Sequence, residues 1–262
     1  MLEKLKLYHK SSYATLCLCI SIMTLLLMWH IISSLPDINN VIVGPKSVFI
    51  SLFSNIKSGY LGTQIRASLF RVLVGFGLGF LCSIPIAFLL GWYNGFRIIV
   101  EPWIQFFRTI PPIALIPLII ALFGIGTLAK VIIIFFAVFL TMVVTIYQGV
   151  RNVDLTLIKA ARVFDATDTQ IFFHVIVPAT IPYLFTAIRL GLATALTTLV
   201  AAELTGAATG LGMMIQQAGM YFRMDVVMMG ILVIGIIGFI FDKIVLLLER
   251  KLTSWREVKN DI

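Results

Sequence analysis

Long apolar runs alternate with short polar segments along this chain, and several runs are long enough to cross a membrane. A helix needs about 20 apolar residues to cross the hydrocarbon layer, because lipid offers no hydrogen-bond partner to a free backbone group. Stretches of this length lie at about 14–34, 69–92, 102–123, 128–150, 183–206 and 226–248. The pattern therefore predicts an all-α, polytopic membrane protein with about six transmembrane helices.

The composition supports this class. Hydrophobic residues make up 60% of the 262 residues, charged residues only 12%, and the mean hydropathy is +1.04. Such values are typical of a polytopic membrane protein. Six spans leave no room for a separate soluble domain, so we expect a single membrane domain over 1–262. Cys17, Cys19 and Cys82 lie in apolar runs without metal-ligand spacing, which predicts buried thiols and no metal site.

The net charge of +8 does not indicate nucleic-acid binding, because the basic residues are scattered at the edges of the spans. Loops rich in Lys and Arg stay on the cytoplasmic side of a membrane. Both chain ends are basic, and so is the polar stretch between spans four and five. We therefore place 1–13, 249–262 and that stretch in the cytoplasm. Basic residues are fewer on the opposite side, where they are Lys46, Lys57, Arg66, Lys130 and Arg223.

The polar stretch at 154–177 interrupts the apolar pattern between the fourth and fifth spans. A first short helix is predicted from 155 to 164. Thr167 and Gln170 then have the spacing of a capping box, which predicts the start of a second short helix. Asp168 is favourable at the positive end of that helix.

Two prolines follow this stretch, and we expect Pro178 and Pro182 to end the second helix and begin span five. Two amphipathic helices need a partner for their apolar faces. The membrane surface and another protein are equally compatible with the residues alone.

Charged residues inside the spans are few, and each costs about 2.5–3.5 kcal/mol at mid-membrane, so each needs a partner or water. Arg71 and Glu203 lie at similar depth near the outer ends of spans two and five, and we predict that they form an ion pair. The charged residues toward the inner side are Arg108, Arg189 and Asp242. Structural pairing and a place along a pathway through the membrane both remain open for these groups.

Span five has two contrasting faces at 100° per residue. Arg189 and Glu203 lie on one face among leucines. The other face is small and hydroxylated. Its members are Ala187, Gly191, Thr194, Thr198, Ala201 and Thr205. Neither face suits lipid, so we expect span five to be central in the bundle.

Glycines in span two and prolines in span three point to special packing. The glycines include a G-x-x-x-G spacing that favours close helix contact over a gating role. The prolines break the hydrogen-bond ladder of span three, which is tolerated inside a bundle or beside a cavity, so plain kinking and a pathway role stay open. These residues are Gly75, Gly77, Gly79, Pro111, Pro112 and Pro117.

The 154–177 segment resembles the EAA loop of binding-protein-dependent ABC importer permeases, through which such permeases dock onto their ATPase subunits. The run KAARVFDAT and the following VIVPATIP match this signature at Ala160, Ala161 and Pro178. Four further blocks are similar to the nitrate, sulfonate, taurine and bicarbonate branch of that family. They are SLFRVLVGFGLG, FFRTIPPIALIPLIIALFGIG, LVAAELTGAATGLG and LLERKLTSWR. Two positions depart from the signature, since its glutamate is Lys159 here and its glycine is Asp165, so we expect docking with altered contacts.

The resemblance implies a pore-forming subunit of the bacterial inner membrane, not an enzyme, with both termini cytoplasmic. Implied partners are an ABC ATPase subunit that carries ATP and magnesium, an extracytoplasmic binding protein, membrane lipid and a second copy of the chain. The implied substrate is a small anion of the sulfonate, taurine, nitrate or bicarbonate kind. No cofactor is expected in this chain.

Two sets of candidate site residues follow. The residues that the resemblance assigns to ATPase coupling are Lys159, Ala160, Ala161, Phe164, Asp165, Ala166 and Thr167. The candidates for the pathway or its gates are Pro111, Pro112, Arg108, Arg189, Thr194, Thr198 and Glu203.

Two other classes of function compete with the permease. A self-sufficient secondary transporter or channel would explain the charges inside the spans without partners. A membrane-embedded enzyme would need clustered nucleophiles or metal ligands, and no phosphate-binding loop, zinc motif or catalytic triad spacing is present. The capped double helix favours the permease, and co-purification with an ATPase would separate it from the secondary transporter.

Overall fold

The computed structural model describes the backbone of residues 2–36 and 41–253, with side chains from residue 16 onward in those ranges. The side chains of the predicted N-terminal segment, 1–13, therefore lie outside the described part of the chain. Residues 254–262 of the predicted tail lie outside the described residues altogether. Helices and turns, without strands, make up the described part, which confirms the all-α prediction.

The helices follow one another with short connections. Their bounds are α1 (Leu2–Ser33), α2 (Pro45–Lys57), α3 (Tyr60–Trp92), α4 (Asn94–Thr109), α5 (Ile116–Phe123), α6 (Thr127–Arg151), α7 (Leu155–Val163), α8 (Asp168–Ile171), α9 (Val177–Leu204), α10 (Leu211–Met220) and α11 (Met224–Leu252). A 3₁₀ turn at Pro112–Leu115 precedes α5, and a π turn at Phe172–Ile176 joins α8 to α9.

Five helical stretches in the described residues are long and apolar enough to cross a membrane. They are Leu16–Ser33, Tyr60–Trp92, Thr127–Arg151, Asp168–Leu204 and Met224–Leu252. A sixth span is present if the bent pair Asn94–Thr109 and Pro112–Phe123 is counted as one. The prediction of about six spans is therefore confirmed.

The predicted third span, 102–123, is not one continuous helix. Its two halves meet at 89°, and the break falls at Ile110 and Pro111. Pro111 has no N–H to continue the ladder, and it restricts the residue before it to extended backbone, in agreement with φ −81° and ψ 117° at Ile110. Pro117 lies in the first turn of α5, where the missing N–H costs nothing.

The chain divides into two compact units, one of 1–61 and 214–232 and the other of 62–213 and 233–262. The first unit contains α1, α2 and the adjoining parts of α10 and α11. In this unit the Trp29 indole N–H donates to the Val43 carbonyl at 3.0 Å, which ties α1 to the segment that leads into α2. Gly230 leaves room for the side chain of Ile215, so α11 and α10 pack closely there.

The second unit is organised around α6 and α9, which pack along each other. Ile134, Val138 and Met142 on α6 are fully buried, as are Ala187 and Ala195 on α9. Burial of this much apolar side chain is the main favourable contribution to packing in the unit. The expected central position of span five is in agreement with this core.

Helix α3 approaches α6 through two glycines. A side-chain carbon at Gly75 would lie 2.7 Å from Ile134, and one at Gly79 would lie 2.8 Å from Val138, whereas Gly77 faces open space. The predicted close contact through the G-x-x-x-G spacing is therefore confirmed for Gly75 and Gly79.

The prediction of buried thiols is wrong. Cys17, Cys19 and Cys82 are exposed on the surface of the protein. Apolar runs predict residence in the membrane, but they do not separate a side chain that faces lipid from one that faces the protein core, because both environments are apolar.

Replacing Gly79 by Leu is expected to destabilise the protein by about 1–3 kcal/mol, because the added side chain has no space against Val138. Gly77→Leu is the matched control, since its side chain enters open space on the same helix. Thermal unfolding of the two purified variants in detergent measures the difference. Equal melting temperatures would contradict the close approach of α3 and α6.

Candidate functional site

The 154–177 segment begins with a capped helix. Asp154 is the N-cap of α7, and its carboxylate accepts a hydrogen bond of 2.8 Å from the Thr156 amide. This bond holds the pKa of Asp154 below its ordinary value. A lowered folded-state pKa means that the cap stabilises the helix at neutral pH. That stabilisation is lost as the pH falls through the lowered value.

The turn between α7 and α8 has the geometry of a Schellman motif. The Ala166 N–H donates to the Ala161 carbonyl and the Asp165 N–H to the Arg162 carbonyl, at 3.1 and 3.0 Å. Asp165 takes the left-handed position with φ 54°, where the related signature has glycine. Aspartate is among the few non-glycine residues that adopt this conformation readily, so the turn forms despite the substitution.

The second helix begins with a complete capping box, as predicted. The Thr167 N–H donates to Gln170 Oε1 at 2.8 Å, and the Gln170 N–H donates to the Thr167 hydroxyl at 3.3 Å. An exposed ion pair of 2.9 Å between Arg162 and Asp168 joins the two short helices across the turn. These local bonds hold α7 and α8 in a defined orientation on either side of the turn.

The prediction that Pro178 and Pro182 end the second helix is wrong. The helical path is continuous from Asp168 to Leu204 through the π turn. In this turn the Val177 N–H donates to the Phe172 carbonyl five residues earlier. Pro178 then lies in the first turn of α9 and Pro182 inside that helix. The part of the segment from Asp168 onward and span five therefore form one continuous helical path, which the turn at 164–167 joins to α7.

The residues assigned to coupling divide into two groups. Ala161 and Ala166 are half-buried and pack against the core of the second unit. Phe164 is 86% exposed and the adjacent Val163 is 81% exposed. The remaining members of the exposed group are Lys159, Ala160, Asp165 and Thr167. The segment thus has an exposed apolar tip at Phe164, and Ala161 and Ala166 attach the turn to the core of the second unit.

A second polar site lies between α3 and α9, where the structure brings Arg71 and Glu203 together. Arg71 Nη1 is 2.5 Å from Glu203 Oε1, and the two side chains are 6% and 0% exposed. The Ser68 hydroxyl and the Gly212 N–H also donate to the Glu203 carboxylate, at 2.9 and 2.8 Å. The carboxylate is therefore satisfied by three donors in an apolar environment, as a buried charge requires.

The same side chains hold the loop that follows α9. Arg71 Nη1 donates to the Thr209 carbonyl at 2.6 Å, Gln64 Oε1 accepts from the Gly210 N–H at 2.7 Å, and the Ser68 hydroxyl accepts from the Leu211 N–H at 2.8 Å. Gly210 has φ 135° and lies directly against the Glu203 carboxylate. Any larger residue at this position would therefore be both strained and obstructed.

Lys130, on α6, completes this arrangement. Its ammonium group donates to the Gly126 and Gly206 carbonyls at 3.3 and 3.2 Å and is almost fully buried. Sequence reasoning identified Arg71 and Glu203 but missed Gln64, Ser68 and Lys130. The first two lie with Arg71 on one helical face, four and three residues apart, which was the available signal.

The pathway candidates other than Glu203 are dispersed. Arg189 pairs with Asp242 at 2.8 Å, with both side chains half-exposed. Arg108 is exposed at the end of α4 and makes no hydrogen bond or ion pair within the described residues. Thr198 is buried and Thr194 half-buried on α9. Pro111 and Pro112 lie at the break before α5. Metal-ligand clusters of His, Cys, Asp or Glu are absent from the described part of the chain.

Comparison with known proteins identifies the family. The model of the binding-protein-dependent transport system inner membrane component family matches residues 75–254. A probable ABC transporter permease protein of Brucella abortus (strain 2308) is 44% identical over 229 residues, covering 87% of this chain and 91% of that protein. The taurine transport system permease protein TauC of Escherichia coli (strain K12) is 34% identical over 237 residues, covering 88% of this chain and 86% of TauC.

A solved structure gives the same fold. The MetNI methionine ABC transporter in an inward-facing conformation matches with a TM-score of 0.66 at 22% identity, over 74% of this chain and 96% of the matched chain. The chain therefore belongs to the binding-protein-dependent ABC importer permeases, in the branch that includes the taurine permease. It is a multi-pass transport subunit of the inner membrane.

Glu203→Ala is expected to destabilise the fold by about 3–5 kcal/mol, because it leaves the buried Arg71 guanidinium without its counter-charge. Asp168→Ala is the control, since it removes a carboxylate from the exposed pair with Arg162 in the polar 154–177 segment, a kind of pair worth about 1 kcal/mol or less. Thermal unfolding in detergent compares the two. A similar loss in both variants would show that the buried pair has no special structural role.

Proposed function

We propose that this permease conducts a small sulfonate-like anion, delivered by an extracytoplasmic binding protein and driven by a separate ATPase subunit that binds ATP and magnesium. Two copies of the chain form the pathway between them. Both termini and the 154–177 segment lie in the cytoplasm, where the basic residues of that segment and of the end of α11 favour placement.

The observation that carries the proposal is the exposed apolar tip at Phe164. An aromatic side chain that is 86% exposed on a turn braced by a Schellman motif and a capping box suits insertion into a groove on another protein. An exposed Phe side chain is unfavourable in water. Burying it in a groove of a partner would stabilise the complex by about 1.5–3 kcal/mol. The polar flanks, Lys159 and Asp165, favour a protein surface as the partner over the lipid interior.

The continuous helical path gives the segment a means to transmit movement. Displacement of α8 by a moving partner is passed through the π turn into α9. Helix α9 packs along α6 in the core, so its rotation changes the bundle itself. Only a partner that binds the two states with different affinity drives such a switch, and closure of paired ATPases on binding ATP would supply that difference.

The choice of substrate is supported by the taurine permease named among the relatives, because taurine carries a sulfonate group. The positive charges of the second unit are compatible with an anionic solute. A self-sufficient transporter is the competing function, and it would move solute without ATP or a partner.

Phe164→Asp is expected to lower ATPase stimulation and uptake of taurine at least about tenfold in liposomes that contain the complete importer, because a charged residue does not enter an apolar groove. Phe239→Ala is the control, since Phe239 is an exposed aromatic on α11 and does not belong to the segment. Uptake is measured with the loaded binding protein outside and ATP inside.

Three results would contradict this function. They are full stimulation by the Phe164 variant, an equal loss in the Phe239 variant, and uptake by the permease alone without ATP. Phe164 is preferable to Ala161 or Ala166 for this test, because both alanines pack against the core and their replacement would disturb the fold as well as the docking.

A further inference from the structure

A cavity of about 430 Å³ adjoins the Glu203 site, next to α3, the start of α6 and the loop before α10. Its polar lining consists of Arg66, Arg71, Thr127 and Thr209, and Phe70 is among its apolar lining residues. We name it the Arg66 cavity. Two guanidinium groups and two hydroxyl groups around a space of this size are the donors that recognise an oxyanion.

Arg71 lines this cavity and does not use all five of its N–H donors. Its Nη1 and Nη2 atoms are engaged by Glu203 and Thr209. Its Nε–H is buried and has no hydrogen-bond partner within the described residues. A buried N–H without an acceptor costs about 1–3 kcal/mol. The Arg71 guanidinium is therefore not fully satisfied by the protein groups around it.

The start of α6 is a second and independent source of attraction for an anion. Thr127 is the first residue of this 25-residue helix, and no side chain caps the helix at Gly126. The first amides of a helix lack intrahelical partners, and the helix dipole places positive charge at this end. Both effects favour an anion at Thr127.

The local charge balance is also positive. Arg66, Arg71 and the nearby Lys130 contribute three cations, whereas Glu203 is the single carboxylate that contacts this group among the described residues. Glu203 is already held by Arg71, Ser68 and Gly212. The remaining positive charge is therefore available to a ligand and attracts a small anion.

We propose that the Arg66 cavity is a transient binding subsite for the sulfonate group of the transported solute. Arg66 and the Thr127 and Thr209 hydroxyls donate to the sulfonate oxygens, and the Arg71 guanidinium adds positive charge beside them. Phe70 contacts the short apolar part of the solute. This assignment rests on the proposed function for the identity of the solute, but its chemistry is a property of the cavity itself.

Arg66 is the residue to change, because it is exposed and, unlike Arg71, makes no hydrogen bond or ion pair with the described residues of the Glu203 site. The complete importer is placed in phosphatidylcholine nanodiscs without ATP, and ethanesulfonate binding is titrated by saturation-transfer NMR. Arg66→Gln is expected to weaken binding about tenfold, the usual worth of a charge-assisted hydrogen bond. Thr127→Val is expected to weaken it about threefold.

Arg97→Gln is the matched control, because it removes a half-buried guanidinium outside the cavity whose hydrogen bond within the described residues is to Asn94. Its affinity is expected to equal that of the unmodified importer. Equal affinities for the Arg66 and Arg97 variants, or no binding of ethanesulfonate to the unmodified importer, would overturn the assignment.

A lipid phosphate is the alternative source of an oxyanion. A second set of nanodiscs therefore contains phosphatidylglycerol, and native mass spectrometry counts retained lipid. Retention of phosphatidylglycerol that blocks ethanesulfonate binding and is lost in the Arg66 variant would show a lipid site and overturn the proposal.

Failure of ATP-driven uptake with intact ethanesulfonate binding would refute the proposed function but not this subsite. Normal uptake with no binding difference would refute the subsite alone.

Discussion

The Glu203 carboxylate is fully buried in an apolar helix bundle, and much of the second unit is arranged to satisfy it. A charge in this environment requires a counter-charge and hydrogen-bond donors, because lipid and apolar side chains provide neither. Arg71 and Ser68 from α3 and the Gly212 amide from the following loop supply them. One requirement thus fixes the depth of α3 against α9 and the course of the loop between α9 and α10.

Helix α9 and the short helical stretch before it lead from this buried site to the turn that carries Phe164. Glu203 lies near one end of the helical path Asp168–Leu204, and the capped turn lies at its other end. The end of the path at Glu203 is held by charge, whereas the end near the turn packs into the core through Ile171, Ile176 and Phe172. Under the proposed function, a partner that moves the exposed turn would move this whole helix with it.

Local patterns in the sequence predicted much of this arrangement. The capping box at Thr167, the close contact through Gly75 and Gly79, and the break at Pro111 each depend on residues near in sequence, so their spacing determines their geometry. The pairing of Arg71 with Glu203 was also predictable, because charges inside apolar runs are few and must find each other.

Other features depend on contacts between distant residues. The roles of Gln64 and Lys130 follow from loop amides and carbonyls that only the fold brings near them. The π turn before Pro178 arises from competition between a continuous helix and a missing N–H, which proline content alone does not resolve. Hydropathy likewise did not separate lipid-facing from core-facing cysteines, since both positions are equally apolar.

The central claim is that the turn at Phe164 lies in a groove of the ATPase and moves with it. The most direct measurement is electron paramagnetic resonance of a spin label at a single cysteine at position 164, with Cys17, Cys19 and Cys82 replaced by alanine. Addition of the ATPase subunit should immobilise the label and reduce its accessibility to a water-soluble relaxing agent, and ATP should change its spectrum again. A label at position 239 should not respond. A label at 164 that stays mobile and water-accessible in the assembled importer would contradict the account.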